Sequence, residues 1–178
     1  MKTSFDITKL ILHKPNFLSK EQCDLLINYY ENNKKQKIRE HCPHAVTGVD
    51  TESTFYVIDI PYGTEENKLV SSSIEKMINM WQDYTDKFKM FHVRKRGSML
   101  YSHKLRLMKY ETGAKIHPHS DHDPYIYGSC TFNLNEEYEG GEFVFFRGNK
   151  KIQLKRGDAL IFPADHFWVH EVKPIKKG

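Results

Sequence analysis

Residues 117 to 123, His117-Pro118-His119-Ser120-Asp121-His122-Asp123 ("HPHSDHD"), set three histidines and two aspartates in seven positions. Both residue types ligate metals, so the first question is which of them share a face. In a strand, alternate side chains point the same way. His117, His119, Asp121 and Asp123 then lie on one side and His122 on the other. Parity alone leaves three neighbouring pairs: His117/His119, His119/Asp121 and Asp121/Asp123. Pro118 has no N–H and suits a strand's beginning or edge, and Asp123-Pro124 reads as a turn. His119 and Asp121 are therefore the pair best placed inside a regular strand. A third ligand must come from elsewhere, and His170 in "FWVHEV" is the candidate. Alone, a histidine among apolar neighbours reads as an ordinary core residue. Two imidazoles and one carboxylate with open positions make the facial triad of non-haem Fe(II) oxygenases, which need those positions for co-substrate and O₂.

The chain around this cluster has 178 residues, enough for one domain with a proper core. With 39% of its residues hydrophobic and 13% aromatic, it has the apolar material to fold. A net charge of +4 is too mild to argue for nucleic acid, and most of the lysines read as solvated surface. Cys23, Cys42 and Cys130 form neither a disulfide framework nor a zinc pattern. The N-terminus lacks the apolar run and cleavage site of a signal peptide, and no stretch is apolar enough to span a membrane. A reducing, cytoplasmic setting is the simplest expectation.

Character changes near residue 104. Before it, "LSKEQCDLLINYY" predicts a helix with Ser19 as N-cap and Gln22 closing a capping box. Residues 67–88 predict a second helix whose stripe Ile74, Met77, Ile78, Trp81 and Tyr84 reads as core. "STFYVIDI" between them predicts a strand. After residue 104, short strands alternate with glycine-centred turns: "HKLRLMKY", "YIYGSCTFNLN", "EFVFFRG", "NKKIQL", "ALIF" and finally "HFWVHEV". "EEYEGGEF" and "KRGD" read as turns. This order predicts an α+β chain, with a sandwich or barrel of strands and helices over one outer face. "HCPH" at 41–44 reads as a turn, since it has no second ligand pair. The basic segment 91–103 reads as a solvated loop, with a substrate-gripping loop as the alternative.

Several motifs in fixed order resemble the 2-oxoglutarate and Fe(II)-dependent dioxygenases, most of all the prolyl 4-hydroxylase branch. They are "YETG" ahead of "HSD", then "LNEEYEGGEFVF", "KRGDALIFP" and "HEVKPIKKG", with "NFLSKEQCDLLINYY" similar to the family's opening helix. The resemblance implies a double-stranded β-helix, or jelly roll, within one domain over 1–178. Residues 1–103 would give helical support and 104–178 the core. It implies iron held by His119, Asp121 and His170, 2-oxoglutarate as co-substrate, and ascorbate as a candidate auxiliary reductant. His117, His122 and Asp123 become neighbours of the site. Tyr110 matches the family's tyrosine near the co-substrate. Asn133 and Thr131 are the expected polar wall, sharing one strand face with Ser129.

The implied reaction couples decarboxylation of 2-oxoglutarate, to succinate and CO₂, with hydroxylation of a C–H bond. A protein or peptide side chain, proline above all, is the expected substrate. A jelly-roll binding module with a relic metal site is the alternative from another class, and a sister oxygenase acting on a small molecule or nucleobase is a third. In the family an Arg or Lys two residues beyond the glycine after the distal histidine holds the far carboxylate of 2-oxoglutarate. Here that glycine is Gly178, the last residue shown. Two readings follow, a core cut short there, which the match of "HEVKPIKKG" favours, or a co-substrate bound differently or not at all; Lys176 and Lys177 read as surface lysines.

Overall fold

The computed structural model describes residues 5–43, 47–89 and 104–178. The basic segment 91–103 lies outside the described residues. Two helices stand where the sequence puts them. α1 (Lys20–Asn33) begins at Ser19, whose hydroxyl accepts from Gln22 N while the Gln22 side chain accepts from Ser19 N at 2.9 Å, the predicted capping box. α2 (Glu65–Asp86) starts a little before its expected bound, because Thr64 caps it by accepting from Asn67 N. Its Met77 and Trp81 are almost fully buried, with Ile78 and Tyr84 packed on their cluster and Ile74 on the neighbouring one that holds Leu26, Ile58 and Val70.

Two antiparallel sheets hold the core. One joins β1 (Leu12–Lys14), β11 (Ala159–Pro163) and β7 (Gly128–Phe132), with β11 in the middle. The other runs β10 (Lys150–Ile152), β9 (Phe143–Phe145), β12 (His170–Val172) and β6 (Ile116–His119). Strand parity divides β11 cleanly. Leu160 and Phe162 join Phe145, Ile152, Leu154 and Trp168 in the core between the sheets, where the rings of Phe145 and Phe162 meet edge-on at 4.8 Å. Ala159 and Ile161 point the other way and pack with Met77 and Trp81 of α2. Cys130 and Phe132 of β7 lie on that same helix side. A Cβ on Gly128 would stand 3.0 Å from the Trp81 ring, so the absence of a side chain lets helix and sheet close up.

The "KRGD" turn ties the N-terminal residues to the sheets. Asp158 is 3% exposed and its carboxylate accepts from Asn16 N, Lys155 N and the His13 ring. Gly157 O accepts from Phe17 N and Leu18 N. The Arg156 guanidinium donates to the Asp24 carboxylate and to Lys20 O at the start of α1. The Trp81 indole donates to Leu10 O at 2.7 Å.

Three smaller pairs complete the chain: β4 (Phe55–Asp59) with β5 (Arg106–Tyr110), β2 (His41–Pro43) with β3 (Asp50–Glu52), and β8 (Glu139–Gly140) with β13 (Ile175–Lys177). Two correct the sequence reading. Residues 41–43 are a hairpin arm, not a turn, and "EEYEGGEF" and "KPIKKG" each contribute a paired strand. "HFWVHEV" is shorter as a strand than expected, for only His170–Val172 pair and Phe167 is 75% exposed. Lys176 and Lys177 are exposed, as expected. No helix among the described residues is long and apolar enough to cross a membrane.

Candidate metal centre

β6 and β12 run side by side, and His119 and His170 are direct partners across the pair. The ladder slips between His170 and Val172, next to Pro118, which has no N–H to give it. β6 is the edge of its sheet, the position a proline tolerates. The strand ends at His119, so Asp121 stands on the irregular backbone that follows. This corrects the picture of His119 and Asp121 inside one regular strand. The chain turns at Asp123-Pro124 as predicted, with Ile126 N donating to Asp123 O.

Leaving the strand nevertheless brings the acid onto both imidazoles. Asp121 Oδ1 lies 3.3 Å from His119 Nε2, and its Oδ2 lies 3.6 Å from His170 Nε2. The two rings stand 4.3 Å apart. One donor atom from each of the three residues falls within 4.8 Å of the others, the only such grouping of three or more among the described residues. His170 is 4% exposed, with Phe145 stacked at 5.5 Å and Phe162 edge-on at 4.8 Å.

The backbone fixes which nitrogen of each ring faces inward. His119 Nδ1 lies 2.8 Å from His117 O, and His170 Nδ1 lies 3.0 Å from Trp168 O. A carbonyl can only accept, so each Nδ1 carries a hydrogen; in the neutral ring Nε2 keeps its lone pair on the Asp121 side, and in the protonated ring His119 Nε2 donates to Asp121. A backbone partner that fixes tautomer and ring orientation is the usual support of a metal-binding histidine. Two such nitrogens and a carboxylate suit Fe(II), and the donor set fits that metal.

Electrostatics point the same way. Burial alone would raise the Asp121 carboxyl, but the His119 hydrogen bond, the charge of both histidines and the Ser129 hydroxyl hold it at about 2. Burial pulls the His119 imidazole down, and the Asp121 carboxylate with the His117 and His170 backbone overcomes it, leaving its pKa above the ordinary histidine value. Burial and the neighbouring His119 charge hold His170 below that value, against the pull of Asp121.

Ser129 is a site residue that sequence reasoning treated only as a strand neighbour. It shares a face of β7 with Thr131, opposite the helix-facing Cys130 and Phe132, so Thr131 lies on the site's side of the sheet. Tyr110 and Asn133 have other engagements. The Tyr110 ring stacks on Phe55 at 5.1 Å. The Asn133 amide donates to Asn135 O and accepts from the Tyr138 hydroxyl, bracing the turn after β7. His122 turns away from the triad and meets the His166 ring at 4.3 Å.

Comparison with known proteins agrees with this geometry. Residues 105–178 match the model of the 2OG-Fe(II) oxygenase superfamily. The resemblance to the 2-oxoglutarate and Fe(II)-dependent oxygenases holds. That span takes in all three residues of the oxygenase-like triad. Among curated proteins none matches the chain. Solved structures that share the fold include a prolyl-4-hydroxylase of Pseudomonas putida, at 17% identity and a TM-score of 0.64 over 94% of this chain and 87% of that one. The viral collagen prolyl hydroxylase of Paramecium Bursaria Chlorella virus-1, in its 2OG complex, is 20% identical with a TM-score of 0.61 over 95% and 90%. A Trichoplax adhaerens prolyl hydroxylase, in complex with a hypoxia inducible factor oxygen degradation domain peptide fragment, is 16% identical with a TM-score of 0.67 over 96% and 80%. The mixed helix-and-strand architecture is thus that of prolyl hydroxylase-like oxygenases, and Fe(II) with 2-oxoglutarate are the cofactors of the family matched.

Proposed function

We propose that the chain is an Fe(II)- and 2-oxoglutarate-dependent dioxygenase that hydroxylates a C–H bond of a protein or peptide side chain, with proline the leading target. Succinate and CO₂ are the co-products. The carrying observation is the convergence of His119, Asp121 and His170, with both Nδ1 atoms held by backbone carbonyls. The two facing sheets are read as the double-stranded β-helix of a single domain. The peptide fragment bound to the Trichoplax relative favours a protein substrate over a small molecule.

His119, Asp121 and His170 would hold the metal, which supplies oxygen activation when bound. The chain's own contribution is placement. Pinned tautomers present lone pairs without reorganisation. Phe145 and Phe162 keep water from the His170 side. The Ser129 hydroxyl lies near enough to Asp121 to help keep its carboxylate ionised. Thr131 is assigned to the co-substrate wall through the face it shares with Ser129, whereas the assignment of Tyr110 and Asn133 rests on the motif resemblance.

The test is succinate release from Fe(II), 2-oxoglutarate and proline-containing peptides by the wild type and by His119→Ala. Peptide-dependent succinate from the wild type alone is the expected result. Equal release by both proteins would remove His119 from the centre, and none from either would leave a binding module.

A further inference from the structure

Two loops frame the triad: 120–127, which carries Asp121, and 164–169, which leads into His170. Each presents an aromatic ring to solvent from the same small device. Asp123 Oδ1 accepts from Tyr125 N at 3.1 Å, and Asp165 Oδ1 accepts from Phe167 N at 2.8 Å. Both are Asx turns, in which a carboxylate braces the backbone two residues on. The result is Tyr125 at 87% exposure and Phe167 at 75%. The loops also brace each other, because the His122 and His166 rings meet edge to face at 4.3 Å and His166 touches the Phe167 ring at 5.3 Å. The backbone that carries each ring is therefore braced, on loops that adjoin triad residues in the chain.

Charge says what they could hold. The chain has 27 Lys and Arg, yet none lies between positions 116 and 146 or between 157 and 172, the two segments that build the site and its rim. Asp123 and Asp165 are both exposed there. An aromatic face attracts cations through its quadrupole, and nearby carboxylates add to that attraction. A chain with a net charge of +4 thus carries, on the two loops that adjoin the triad residues, exposed acidic and aromatic side chains and no Lys or Arg.

We propose that Tyr125 and Phe167, with Asp123 and Asp165, form a rim that binds an extended peptide carrying Lys or Arg beside the residue presented to the triad. This rests on the oxygenase reading and adds the substrate's charge to it. Aromatic side chains have only two rotatable bonds and these stand on braced turns, so little entropy is lost when a peptide lies across them.

The test uses the full chain loaded with Mn(II) and two fluorescein-labelled peptides, repeats of Lys-Pro-Ala and of Glu-Pro-Ala, read by anisotropy. The lysine peptide should bind at least about 10-fold more tightly than the glutamate one, the scale of one desolvated cation–ring contact. Tyr125→Ala with Phe167→Ala should weaken the lysine peptide by about 10-fold or more at unchanged Mn(II) affinity and unchanged Tm. Asp123→Asn with Asp165→Asn keeps the turn acceptors and removes the charge, and should narrow the preference. Equal or tighter binding of the glutamate peptide, wild-type affinity in the ring variant, absence of binding by either peptide, or tighter binding of a single-stranded oligonucleotide would each overturn the rim. His119→Ala separates the two readings: retained peptide binding with retained Mn(II) affinity would sink the metal assignment and leave the rim standing.

Discussion

His119 and His170 are register partners on adjacent strands, and each ring gives its Nδ1 hydrogen to a carbonyl two residues earlier in its own chain. The same local device thus orients two ligands that come from distant parts of the sequence. Replacing either histidine, or Asp121, by Ala should weaken Mn(II) or Co(II) binding by more than about 100-fold, beyond the usual effect of losing an outer partner. Isothermal titration measures this, and far-ultraviolet circular dichroism should remain that of the parent.

Ser129 reaches the same carboxylate from a different sheet. Ser129→Ala should cost about 10-fold in metal affinity and shift the d–d bands of the Co(II) form, while Ser129→Thr keeps the hydroxyl and restores both. An unchanged Co(II) spectrum in Ser129→Ala would show that Asp121 needs no such guide.

Asp158 ties the "KRGD" turn to residues near the N-terminus, and its loss leaves two backbone donors without their acceptor. Asp158→Ala should destabilise by about 2–4 kcal/mol in urea unfolding. Burial raises this carboxyl, but bonds from Lys155, His13 and Asn16 outweigh it, so its folded pKa lies below the ordinary value. A carboxyl with a depressed folded pKa contributes stability that is present above its unfolded pKa and is lost as pH falls through the folded one. The parent should therefore lose stability below about pH 4, and Asp158→Asn should lose less over that interval.

Gly157 has φ +81°, and a Cβ there would stand 2.5 Å from Leu18 O. Gly157→Ala should cost at least about 1–3 kcal/mol from backbone strain alone, since the carbonyl it meets is held by its own peptide plane. A drop in Tm of several degrees is the readout.

Burial pushes the Cys130 thiol up to about 12, and Cys23 is fully buried with its thiol also raised. Neither should react with iodoacetamide at pH 8 in the native protein, because the thiolate is the nucleophile. Peptide mass mapping should find both modified only after unfolding.

Local signals were the legible ones. Ser19 with Gln22 and the Met77–Trp81 stripe depend on neighbours a few positions away, and both helices form where they predict. The turn at Asp123-Pro124 is equally local. Strand bounds were less so. Phe167 reads as a strand residue because it is apolar, but Asp165 diverts the backbone into a turn first. The pairing of Ile175–Lys177 with Glu139–Gly140 depends on long-range packing, where Pro174 O sits so close to Gly140 that a Cβ would lie 2.2 Å away. Parity picked His119 and Asp121 as the best-placed strand pair, yet Asp121 reaches the histidines only because the strand stops before it. The motif resemblance, not periodicity, linked His170 to them. Ser129 carried no signal of its own, since only the fold brings β7 beside Asp121.

Two of the three groups facing one another in the centre stand on hydrogen-bonded ladder, and the third stands on irregular backbone just past a strand end. Ladder positions are costly to displace, whereas unpaired backbone shifts with little loss of hydrogen bonding. Exchange of a bound ion would then be governed by a single hinged arm. The stiffness of the residues around Ser120 and His122 would set how readily the first of the three bonds opens, before the imidazoles let go.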